Sequence, residues 1–172
     1  MKPETITKQI FKIIPALLLV ALSAFLLQGD VWTFWTWYLL ALVLGVTAMP
    51  LTGRLFRRFQ DRGWIFSKVT AIAVSGFLTW FLVAVKIIKF TTITCIVVTL
   101  VCAAASLILY WREQKAGFEC IPFAHLDLVY AEELLFFAAF LLWTYFAGFH
   151  PAAYGTEKFM DYGFMEAMMR SK

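Results

Sequence analysis

Charged side chains that could do chemistry converge in two places in this chain. The first is the run from Tyr154 to Met165, where Glu157, Lys158 and Asp161 alternate with Phe159, Met160 and Phe164 outside any long apolar segment. A helix capped by Thr156 sets Glu157 and Asp161 one turn apart on one face, with Lys158 beside them. Such a pair could hold a divalent cation or serve as acid and base. Acidic residues also suit the first turn of any helix, where the backbone dipole favours negative charge, so the pair has a purely structural reading as well.

The second place is distributed along the chain. Asp127, Glu132 and Glu133 enter an apolar stretch that holds no lysine or arginine, while Lys68 enters another. Ionised groups at membrane depth are costly unless they face protein or water, so Lys68 is expected to pair with Glu132 or Glu133. That pairing fixes helix packing, or it serves ion coupling or catalysis.

The elements that position these groups are set by composition. Of the 172 residues, 62% are hydrophobic and only 15% charged, far below the charged share of soluble domains, so lipid is the solvent. The expected fold is an all-α polytopic membrane protein. Its transmembrane domain, 1–149, has spans near 13–27, 31–49, 65–85, 90–111 and 125–149, and a tail, 150–172, carries the acidic motif on a short amphipathic helix. Pro15 is expected near the start of the first helix and Pro50 at the stop of the second. The cluster Trp32, Phe34, Trp35, Trp37 and Tyr38 reads as an interfacial belt. Sugar stacking on Trp35 or Trp37 is the alternative, and it requires an active site opening nearby.

A net charge of +4 would suggest nucleic acid in a soluble protein. Here the positive charges flank apolar runs and report orientation, so nucleic acid is not an expected partner. Lys2, Lys8, Lys12, Arg54, Arg57, Arg58, Arg62, Arg112 and Lys115 collect on one side, which places the N-terminus in the cytosol and the tail outside, in the plasma membrane. The apolar run after Lys12 reads as an uncleaved anchor. Cys95, Cys102 and Cys120 lack the spacing of a disulfide framework or metal knuckle, and His125 and His150 are too isolated for zinc.

Taken with its flanks, the tail resembles the YYY family, large polytopic membrane proteins of uncharacterised function that carry a Glu-Lys-x-Met-Asp motif after a transmembrane helix. Glu157, Lys158, Met160 and Asp161 occupy the motif positions. Pro50 to Phe56, Asp61-Arg62-Gly63-Trp64 and Ser67-Lys68 are similar to the family's first cytosolic loop, and Glu132-Glu133 to its acidic helix. Ala147 stands where the family usually has arginine, and His150 where asparagine is common. The family continues into further motifs and helices, so the resemblance implies an N-terminal or truncated member.

The resemblance also implies an architecture similar to glycosyltransferases that use lipid-linked sugars. In that setting Asp161 is the general base or metal ligand, Glu157 its partner and Lys158 a contact to the donor phosphate. A second reading is a non-enzymatic membrane subunit that turns Phe159, Phe164, Met165, Met168 and Met169 toward lipid or a partner protein. A third, a small transporter using Lys68, Glu132 and Glu133, lacks the inverted repeat such proteins carry.

Overall fold

The computed structural model describes the backbone of residues 3–149 and 158–170, and the side chains of 13–149 and 160–170. The described residues form six α-helices and no strand: α1 (Pro3–Leu27), α2 (Val31–Leu55), α3 (Trp64–Ala84), α4 (Thr92–Lys115), α5 (Leu126–Gly148) and α6 (Lys158–Arg170). Three stretches are long and apolar enough to cross a membrane, namely Ile13–Leu55, Trp64–Ala84 and Thr92–Lys115. The first, of 43 residues, is two helices and not one. At Gln28 the backbone turns left-handed (φ 43°) and a short 3-10 turn follows. Leu19 of α1 and Phe34 and Tyr38 of α2 then pack into the same cluster with Phe137 and Leu141 of α5, so the chain has doubled back. α5, which carries Asp127, Glu132 and Glu133 in its first part, is not one of these three stretches.

Two helix boundaries correct the sequence reading. Pro15 lies inside α1, which begins at Pro3. Pro50 does not stop α2, which continues to Leu55 with Pro50 buried inside it. A proline removes one backbone donor, and membrane helices tolerate this where neighbouring helices and hydroxyls compensate. Here Thr47 donates to the Leu44 carbonyl at 2.8 Å and Thr52 to the Met49 carbonyl at 3.1 Å; the carbonyl that Pro50 leaves without its helical donor is that of Val46, and α3 and α4 packed along α2 hold the helix through this point.

α2 is the shared element of two packed groups. It lies most extensively along α3, and α4 packs on both. On its other side α1 and α5 close over an aromatic core in which Phe137 meets Phe34 edge-on at 5.3 Å and Tyr38 edge-on at 4.8 Å. Lipid tails are as apolar as these side chains, so what holds the helices together is contact geometry; such ring pairs are worth about 0.5–1.5 kcal/mol each. Large apolar residues such as Leu17, Leu18, Val43, Phe77, Leu100 and Val101 point outward, which suits a lipid-facing surface and not an aqueous one.

The α2–α3 loop and the α4–α5 loop meet at one end. α4 runs on to Lys115, beyond its expected limit, and ends in a turn where Phe118 N–H donates to Glu113 C=O (2.9 Å) and Gly117 N–H to Gln114 C=O (3.0 Å). Gly117 takes the left-handed conformation (φ 78°) this turn requires, and it delivers Phe118 beneath the arginines of the opposite loop.

Candidate functional site

Three helices meet at one carboxylate. Glu133 lies on the α5 face that carries Phe136, Phe137 and Phe140, directed at α2 and α3. Its Oε2 accepts from Lys68 Nζ at 2.6 Å and from Trp64 Nε1 at 2.9 Å; its Oε1 accepts from the Tyr38 hydroxyl at 2.7 Å. Trp64 and Lys68 are one turn apart on α3, so both donors reach the same oxygen. The Lys68 ammonium also lies 4.7 Å from the Trp64 ring centroid and 4.5 Å from that of Phe136. The Lys68 side chain is 3% exposed and that of Glu133 17%, so the ion pair is largely withdrawn from solvent. Both Glu133 oxygens are filled by charge-assisted bonds, and the arrangement acts as a clamp and not as a free base.

Glu132 points elsewhere. Its carboxyl lies within hydrogen-bonding reach of Asp61, a residue of the α2–α3 loop that is only 4% exposed. The second oxygen of Glu132 is buried without a polar partner among the described residues.

At the loop end Glu113 accepts from Arg54 at 2.9 Å and Arg57 at 3.1 Å, while the guanidinium groups of Arg57 and Arg62 lie 4.4 and 4.9 Å from the Phe118 ring centroid. Beside them Cys120 is fully buried. Burial pushes its thiol pKa up and Glu113 adds to this, with Arg57, Arg62 and Arg54 offsetting part of the rise.

The acidic motif is differently placed. Asp161 is exposed in the first turn of α6; Glu157 lies outside the described residues, as does the side chain of Lys158. The expected helix cap at Thr156 and His150 also lie outside them. Among the described residues no three of His, Cys, Asp and Glu converge as metal ligands. Met168 of α6 lines an apolar cavity of about 520 Å³ between α3 and α4. A second cavity of about 340 Å³ continues from it between α2, α3 and α4, sharing Leu44, Ser75 and Thr99 with the first. Their lining runs along α3 from Thr70 to Ala84, roughly 20 Å at the helical rise.

Sequence reasoning misses Tyr38 and Trp64 as donors to Glu133, because Tyr38 reads as part of the interfacial belt and Trp64 as the end of the basic loop that begins at Thr52. Glu113 reads only as one residue of the polar loop 112–124. The signal available for Trp64 was its i,i+4 spacing to Lys68, and for Glu113 the facing run of arginines.

The family model for uncharacterized membrane proteins designated DUF2298 matches residues 74–172, more than half of the chain. The chain belongs to this family. The matched region contains Glu132, Glu133 and the acidic motif and starts inside α3, after Lys68. Comparison with curated proteins and with solved structures gives no match. Family membership makes the chain an integral membrane protein embedded in the lipid bilayer, with the three long apolar stretches as candidate spans.

Proposed function

We propose that the chain is the membrane module of a transferase that moves a sugar from a lipid-phosphate donor. The observation that supports it is the apolar slot between α2, α3 and α4, one end of which is lined by Met168 of the helix that carries Asp161. A slot of this length accommodates a lipid hydrocarbon chain. A donor phosphate leaving its mouth comes out near Lys86 and Lys89, which flank the α3–α4 turn.

In this reading Asp161 takes the proton from an acceptor hydroxyl as its oxygen bonds to the sugar carbon. The carbon–oxygen bond to the phosphate breaks, and the phosphate leaves with the electron pair, met by Lys158. Glu157 supports the base; in the alternative role of this pair, Glu157 and Asp161 would hold a divalent cation, which would neutralise charge on the leaving phosphate. Five spans in the plasma membrane, with the N-terminus in the cytosol, put this chemistry outside the cell; the basic loop at Arg54–Arg62 supports that orientation.

Asp161→Asn keeps size and removes charge, so membrane insertion should survive while incorporation of labelled sugar from lipid carriers into membrane acceptors falls at least about a hundredfold. Glu157→Gln should do so more mildly. Unchanged incorporation with Asp161→Asn at equal protein abundance sinks the catalytic role.

Orientation has its own check. A cysteine introduced by Ala153→Cys should react with a membrane-impermeant maleimide on intact cells, and one introduced by Arg58→Cys should not. The reverse pattern places the motif in the cytosol and removes the extracellular reading.

A second reading, a non-enzymatic subunit that binds lipid or a partner protein, draws on the saturation of Glu133 and the exposure of Phe164, Met165 and Met169 on α6. It becomes the better account where Asp161→Asn leaves transfer intact.

A further inference from the structure

We infer that the groove between the start of α2 and the end of α5 is a saccharide-binding site, which takes a pyranose ring on Trp37 and holds its hydroxyls from Asp30, Thr33 and Tyr145. The groove has a volume of about 420 Å³, within the size range of small-molecule sites, and Leu26 and Leu27 of α1 contribute to its lining. Thr33 and Trp37 lie one turn apart on α2, and Phe140, Thr144 and Gly148 follow one another at one-turn intervals on α5. Two helical faces therefore combine aromatic planes with hydroxyls and one carboxylate.

Most polar groups of this groove make no bond to the fold among the described residues. Asp30 is the N-cap residue of α2, a position where aspartate ordinarily accepts from a backbone N–H, yet its side chain makes no capping bond. No hydrogen bond or ion pair engages the Asp30 carboxylate, the Thr33 hydroxyl or the Tyr145 hydroxyl among the described residues. Thr144 donates to the Phe140 carbonyl at 2.8 Å and keeps its lone pairs for a ligand. Trp37 is 60% exposed and Phe149 likewise 60%, so aromatic faces are open to the groove and its surroundings.

The chemistry selects the ligand. A carboxylate accepts from two adjacent hydroxyls, and an indole face packs on the C–H face of a sugar ring. A quaternary ammonium group would use the aromatic faces and the charge but none of the three hydroxyls. The groove lies at the same end of α5 from which the chain leads to the acidic helix. That the saccharide is the acceptor rests on the transferase reading; that it binds does not.

The test uses the full chain in nanodiscs of phosphatidylethanolamine and phosphatidylglycerol, free of glycosidic detergent. Methyl glycosides of glucose, mannose and N-acetylglucosamine are titrated, with phosphocholine as a separate arm, and saturation-transfer NMR reads the bound ligand. Saturable binding of at least one glycoside is expected, with the strongest transfer to ring C–H protons. Asp30→Asn and Trp37→Ala should each weaken it by at least about tenfold. Trp32→Ala, which removes an 80% exposed indole outside the groove, should leave it unchanged. Absence of saturable glycoside binding overturns the proposal, as does equal loss in Trp32→Ala or saturation by phosphocholine alone. Sugar binding that persists while labelled-sugar transfer proves absent overturns only the transferase reading.

Discussion

Lys68→Ala is expected to cost about 3–5 kcal/mol of stability, the effect of leaving a buried carboxylate without its counter-ion. The magnitude follows from position. Lys68 is 2% exposed as a residue and its Nζ is 2.6 Å from Glu133 Oε2, so neither water nor a second cation can replace it without rearranging α2, α3 and α5. Glu133→Ala should cost a similar amount, because it strands the ammonium and also leaves the Tyr38 hydroxyl and the Trp64 N–H without their acceptor. Removing both charges together avoids the uncompensated ion, so Lys68→Ala with Glu133→Ala should be less damaging than the sum of the two single changes by more than about 1 kcal/mol. Unfolding in mixed detergent micelles, followed for the four members of the cycle, gives the coupling directly. Strict additivity would mean that the pair is spectator geometry.

That Lys68 required a carboxylate was legible from the cost of an ammonium in an apolar helix. Which of two adjacent glutamates takes it was not, because neighbours on a helix point about 100° apart and the rotation of α5 is set by packing. That packing is the aromatic core of Phe34, Tyr38, Phe137 and Leu141, and it turns Glu133 inward and Glu132 toward Asp61. In sequence Asp61 is the one acid among Arg54, Arg57, Arg58 and Arg62 and nothing there marks it as a core residue, yet it is buried, since loop folding is tertiary information. Apolar periodicity located the helices well and their ends poorly. Pro50 is expected to stop α2 because a proline lacks a donor; that α2 continues rests on its packing against α3 and α4, which is tertiary information. The acidic motif shows the converse case, in which residue types at telling spacing fall on a helix whose partners lie partly outside the described residues.

Gly53→Ala is the second change with a large expected effect, and it acts at the loop end. A Cβ on Gly53 would sit 2.5 Å from the Cys120 carbonyl oxygen and 3.2 Å from both the Cys120 carbonyl carbon and Cα. These are backbone atoms, unable to swing aside as the tip of a side chain can, so either α2 or the α4–α5 loop has to move. Overpacking of this kind costs about 1–3 kcal/mol. The loop is the weaker party, since it is held by Arg57 and Arg62 on Phe118 and by the Glu113 ion pairs, whose arginines are half exposed. The expected outcome is therefore local undocking with the helices retained, and Cys120 reports it. With Cys95 and Cys102 replaced by alanine, native Cys120 should resist a small maleimide at pH 7–8, both because it is fully buried and because its thiol pKa is raised, which keeps it protonated where an ordinary thiol near 8.5 has begun to ionise. In Gly53→Ala the thiol should label at least about tenfold faster, and its pH profile should shift down toward that of a free thiol as the burial is lost. Glu113→Gln gives a complementary variant, because it loosens the same loop without crowding α2 and should raise labelling more modestly. Cys120 labelling that stays slow in Gly53→Ala would show that the loop moves together with α2, and that the close approach at Gly53 is not what seats it.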